Sequence, residues 1–216
     1  MHLEQLKSRI YPLDGQAFAA AKKRWDSIAK PLNSLGEMER LICKIAGITG
    51  NQNVEISRRC VVIFCADNGV VAEGVTQAGS EVTAIVTENF TKGKASVNAM
   101  ARSANCTVIP VDIGVERDVH GGGLLIHKIS RGTRNMVHEP AMTRQQAIEA
   151  IEFGANLAYD LKSQGYQLIL TGEMGIGNTT TSSAVASVLL NKSPAEVTGR
   201  GAGLTSDGLN RKIKAI

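Results

Sequence analysis

The spacing of apolar positions changes several times along the chain, and each change marks an element. Arg59 to Ala66 (RCVVIFCA) is continuously apolar and β-branched, which predicts a strand covered on both faces in the middle of a parallel sheet. Cys106 to Val111 predicts a second strand, ending at Asp112-Ile113-Gly114. Leu124 to Ile129 predicts a short third, and Tyr166 to Thr171 a fourth. Helical spacing lies between them, over Glu81 to Phe90 and Ala95 to Ser103. A longer helix is opened by Thr143, with Gln146 three residues on, and runs to about Ser163 before Gly165 ends it. This alternation predicts an α/β fold, a Rossmann-like, mainly parallel sheet flanked by helices.

The N-terminal segment has a different rhythm. Leu3 to Ile10 and Gln16 to Lys30 are spaced as helices, the second stopped by Pro31. Ser34-Leu35-Gly36-Glu37 matches a capping box and predicts a helix through about Ala46. Its apolar set, Leu35, Met38, Leu41, Ile42 and Ile45, is expected to form one core-facing stripe. Gly47 to Ser57 is polar and loop-like. The expected organisation is therefore a small helical part over residues 1–50 and an α/β nucleotide-binding domain over residues 51–216. The last predicted helix, Ser206 to Ile216, ends without a C-cap glycine or polar tail and reads as an incomplete C-terminus.

The chain is organised around Leu168 to Ala186 (LILTGEMGIGNTTTSSAVA). A buried strand leads into a turn holding Gly172, Gly175 and Gly177, and a helix follows with Asn178 or Thr179 as its expected N-cap. Glycines admit a ligand close to the backbone, and the first N–H groups of a helix face an anion with favourable dipole sign. The position that would hold the lysine of a Walker loop is Asn178, and the glycine order does not match a dinucleotide fingerprint. Glu173 is the carboxylate of this turn. Asp67 and Asn68 follow the central strand, where ligands gather in open α/β sheets; Asn-Gly is also an ordinary turn pair, and both readings stay open.

Composition narrows the classes. The 216 residues carry 24 basic and 20 acidic side chains, a net charge of +4, with no basic block interleaved with aromatics, so a nucleic-acid partner is not indicated. No apolar run reaches membrane length and the amphipathic N-terminus is no signal peptide, which together predict a cytoplasmic protein. Cys43, Cys60, Cys65 and Cys106 form no CxxC pair and read as reduced core thiols, with no metal site expected.

Several stretches, taken together, resemble the nicotinate-nucleotide–dimethylbenzimidazole phosphoribosyltransferases. They are KPLNSLGEMERL (Lys30 to Leu41), CADNGVVAEGV (Cys65 to Val75), SEVTAIVTENF (Ser80 to Phe90), GTRNMVHEPAMT (Gly132 to Thr143), GEMGIGNTTTSSA (Gly172 to Ala184) and GRGAGL (Gly199 to Leu204). They occur in the family's order and span the chain. The resemblance implies transfer of phosphoribose from nicotinate mononucleotide to dimethylbenzimidazole or a related base, giving α-ribazole 5′-phosphate and nicotinate in cobalamin assembly. It implies no metal, no other cofactor, and a homodimer.

Carried over residue by residue, the resemblance assigns phosphate and ribose contacts to Gly175, Ile176, Gly177, Asn178, Thr179, Thr180, Gly201, Gly203 and Lys212. Gln77, Ser80, Val82, Ile85 and Val86 resemble the wall of the base pocket, and Glu173 a supporting carboxylate beside base and ribose. Three departures stand out. Family members are about half as long again, with their general-base glutamate in the segment beyond this chain's end. Val86 replaces a glutamine, and Asn68 a histidine. The alternative is a non-catalytic nucleotide-binding subunit, or an inactive short form needing a partner for the general base.

Overall fold

A computed structural model describes residues 2–216, and its N-terminal unit, Met1–Ser57, is helical. Helix α1 is Leu3–Lys7, α2 is Gly15–Asp26 and α3 is Glu37–Thr49. Asp14 starts α2, its Oδ1 accepting from the N–H groups of Gln16 at 2.9 Å and Ala17 at 3.0 Å. The helix stops at Asp26, short of the expected Lys30, where the Ser27 hydroxyl donates to the Arg24 carbonyl at 2.8 Å.

Two expectations for α3 are corrected. Ser34 does not cap it: Gly36, at φ 55°, holds the N-cap position. Glu37 is drawn outward to Arg40, and Glu39 turns back instead. Its Oε1 accepts from the Leu35 N–H at 3.1 Å and pairs with Lys30 Nζ at 2.7 Å. Leu35, Met38 and Leu41 are 51%, 58% and 45% exposed, so they are not the packed face. Cys43 and Ala46 are packed instead, against Ala21 of α2. Small side chains on both helices allow a close approach that leucine and methionine would block.

The second unit, Arg58–Ile216, holds a four-stranded sheet of β1 (Arg59–Ala66), β2 (Cys106–Gly114), β3 (Leu125–Ile126) and β4 (Leu168–Met174). The order is β3-β2-β1-β4 and every pairing is parallel. Between them run α4 (Glu81–Thr91), α5 (Ser96–Ser103) and α6 (Arg144–Ser163). After β4 come α7 (Asn178–Leu190), α8 (Pro194–Val197) and α9 (Ser206–Ala215). The expected α/β architecture is present.

Strand β1 has a core on each face, as its unbroken apolar run requires. Val61, Ile63 and Cys65 pack with Ala84 and Phe90 of α4, while Cys60 and Val62 pack with Leu161 of α6. Thr143 caps α6, its hydroxyl accepting from the Gln146 N–H at 3.1 Å while the Gln146 side chain accepts from the Thr143 N–H at 2.8 Å. Strand β4 reaches further than expected: Gly172 and Glu173 stay in register with Ile63 and Phe64 of β1. The chain builds from β1 through β2 to β3, then returns to put β4 on the other side of β1. That reversal opens a crevice at the carboxyl ends of β1 and β4, where open α/β sheets bind ligands.

Candidate functional site

At that crevice the chain turns from β4 into α7. The N-cap of α7 is Gly177, ahead of both expected candidates, Asn178 and Thr179, because the turn needs φ 90° there. A Cβ at this position would also stand 2.9 Å from Val71 Cγ2. Beside the turn lies a cavity of about 250 Å³, lined by residues from 75–78, 174–179, 200–204 and Lys212. Gly175, Ile176, Gly177, Asn178, Thr179, Gln77 and Lys212 of the predicted set are all in its wall.

Lys212 is the strongest electrostatic feature. On α9 it is 1% exposed, and its Nζ donates to Thr179 Oγ1 at 2.6 Å and to the Gly199 carbonyl at 3.1 Å. Both partners are neutral, and burial holds its ammonium below the ordinary lysine value. Gly201 makes room for this arrangement: at φ 58°, a Cβ there would meet Thr179 Oγ1 at 2.9 Å. Arg200 also lines the cavity, held by bonds to the Leu204 carbonyl at 2.8 Å and Ser206 Oγ at 3.1 Å. Two cations and no carboxylate line the cavity among the described residues, which suits an anion.

The amides of the turn are not equivalent. Ile176 N–H donates to Thr83 Oγ1 at 3.0 Å and Asn178 N–H to the Gly175 carbonyl at 3.0 Å. Gly177 N–H and Thr179 N–H have no partner among the described residues, and they stand at the start of α7 with its positive dipole end. Thr180 is fully buried and its hydroxyl has no partner among the described residues.

Glu173 lies one residue back from the cavity. It lines a neighbouring groove with Val185 and Leu189 of α7 and accepts from Asn178 Nδ2. Although the residue is exposed as a whole, desolvation by the groove around it pushes its carboxyl above the usual carboxylate range, partly offset by that amide. Gln77 closes the cavity's far side, its Nε2 donating to the Gly203 carbonyl at 2.6 Å. The rest of the predicted base wall is dispersed: Ser80 precedes α4, Ile85 is 48% exposed, and Val86 packs against the core around β1. Val82 is partly buried on the same helix. Asp67 is turned away, its Oδ2 accepting from the Glu116 N–H at 2.8 Å. Asn68 faces the turn, donating to the Ile176 carbonyl at 3.0 Å.

Sequence reasoning missed Arg200 and Thr83. Arg200 sits inside the glycine cluster GRGAGL, where a cation between glycines was a usable signal. Thr83 had none, since its partner lies far along the chain.

A family profile described as phosphoribosyltransferase matches residues 10–216. The chain belongs to that family. Among its relatives are two proteins named nicotinate-nucleotide–dimethylbenzimidazole phosphoribosyltransferase. That of Ruminiclostridium cellulolyticum is 46% identical over 216 residues, and that of Acetivibrio thermocellus 45% identical, each covering 100% of this chain and 61% of the relative. The crystal structure of CobT from Thermus thermophilus superposes with a TM-score of 0.88 at 39% identity, covering 93% of this chain and 60% of that one. The chain thus spans about 60% of the length of the phosphoribosyltransferases it matches.

Proposed function

We propose that the chain binds nicotinate mononucleotide in the cavity beside α7, and serves transfer of its phosphoribosyl group to dimethylbenzimidazole or a related base. One observation carries this reading. A lysine 1% exposed with only neutral partners stands beside two free amides of a helix start, an arrangement that lacks only its anion. The 5′-phosphate supplies that charge. Gly177 and Thr179 amides, the Thr179 hydroxyl, Lys212 and Arg200 receive it; Gly201 gives the clearance.

In the reaction a base nitrogen attacks the anomeric carbon opposite the nicotinate, which leaves with the glycosidic electron pair. The azole N–H proton then passes to a general base. Glu173, held by the Asn178 amide at the edge of the cavity, supports positive charge developing on the ribose. A cytoplasmic homodimer completes the reading by family analogy.

Incubation of the chain with nicotinate mononucleotide and dimethylbenzimidazole, followed by chromatography of nicotinate and α-ribazole phosphate, tests it. The expected result is saturable nucleotide binding and base-dependent nicotinate release. Binding without release would reduce the chain to a nucleotide platform, and no binding would remove the reading.

A further inference from the structure

The residue at the heart of the turn, Ile176, offers neither of its backbone groups to a ligand. Its N–H donates to Thr83 Oγ1 on α4, and its carbonyl accepts from Asn68 Nδ2 after β1, both at 3.0 Å. Thr83 is 0% exposed and Asn68 8%. Their partner lies 93 and 108 positions away, so no local propensity creates the clamp. The other end of the Asn68 amide is engaged too, with Thr181 Oγ1 of α7 at 3.4 Å from Oδ1.

Peptide geometry turns this clamp into control over the anion site. The carbonyl and N–H of one trans peptide point in opposite directions. Holding the Ile176 carbonyl toward Asn68 therefore sends the Gly177 N–H, at the other end of that peptide, away from Asn68. Holding the Ile176 N–H toward Thr83 sends the Gly175 carbonyl the opposite way, where it accepts from the Asn178 N–H and closes the turn. The amides left over, Gly177 and Thr179, are those free for an anion.

We propose that Thr83 and Asn68 are positioning residues for the anion site, a role that rests on the functional reading above. Neither lines the cavity. They fix the peptide planes before the ligand arrives, so binding does not have to order a glycine-rich turn.

The test compares T83V, T83S and N68L with the parent chain. The readouts are calorimetric titration of nicotinate mononucleotide, thermal melting, and amide exchange at Ile176 followed by NMR. T83V keeps the shape and removes the hydroxyl; T83S restores it. T83V and N68L are expected to weaken nucleotide binding about tenfold or more, and T83S to stay within about threefold of the parent. Ile176 exchange is expected to speed up in T83V and not in T83S. T83V binding like the parent, or T83S as weak as T83V, overturns the proposal. If T83V does not fold, N68L and T83S carry the comparison. A parent chain that binds no nucleotide overturns the functional reading instead. Exchange at Ile176 then decides the clamp, and unchanged protection in T83V or, where T83V does not fold, in N68L overturns it.

Discussion

At the scale of single residues, the burial of Lys212 makes alkaline pH a test of the proposed anion site. Its folded-state value lies below the ordinary 10.5, so between the two the unfolded chain holds the extra proton. Stability of the free protein should therefore rise with pH through that window, because deprotonation relieves a buried charge. Anion affinity should move the other way and fall as the ammonium is lost. Lys212→Met should remove both trends and weaken nicotinate mononucleotide binding by about 10- to 100-fold, the range for a hydrogen bond to a charged group. Titrations and melts across alkaline pH check the pair of slopes. A methionine variant that keeps the parent's pH-dependent affinity would detach Lys212 from the anion.

At the scale of elements, caps and turns carry stability that can be measured one at a time. Asp14→Ala removes the Oδ1 that accepts from two N–H groups at the start of α2 and should cost about 1 kcal/mol in denaturant unfolding. Gly177→Ala meets both a φ of 90° and a Cβ 2.9 Å from Val71 Cγ2, and should cost about 1–3 kcal/mol while weakening nucleotide binding. Elements with a self-sufficient local signal were legible in sequence. The apolar run of β1 and the Thr143–Gln146 box of α6 needed no tertiary information. The failures share a cause. Glycines and a carboxylate disguised the end of β4, although parallel pairing with β1 extends it through Met174. The stripe of large residues on α3 drew attention from Cys43 and Ala46, whose smallness is what packs the helix. At the site, the glycine turn announced itself, whereas the burial of Lys212 and the clamp of Thr83 exist only once distant segments meet.

At the scale of the whole molecule, the exposed face of α7 borders the groove that holds Glu173 but not the anion cavity itself. Helix α7 exposes Val185, Val188 and Leu189 at 58%, 81% and 78%, an apolar face of the kind that marks interaction surfaces. Val188→Lys should lower concentration-dependent association in sedimentation without changing nucleotide affinity, since Val188 lies outside both the cavity wall and the groove that holds Glu173. Every residue of that wall, from Val75 to Lys212, belongs to the unit Arg58–Ile216. The clamp on Ile176 and the partners of Lys212 belong to it as well. With every named site residue in one unit, a fragment of residues 58–216 should bind nicotinate mononucleotide within about threefold of the whole chain. Calorimetry on the two proteins side by side decides it, with melting curves showing that the fragment is folded. A folded fragment that has lost binding would mean that the helical unit Met1–Ser57 contributes to the site in solution.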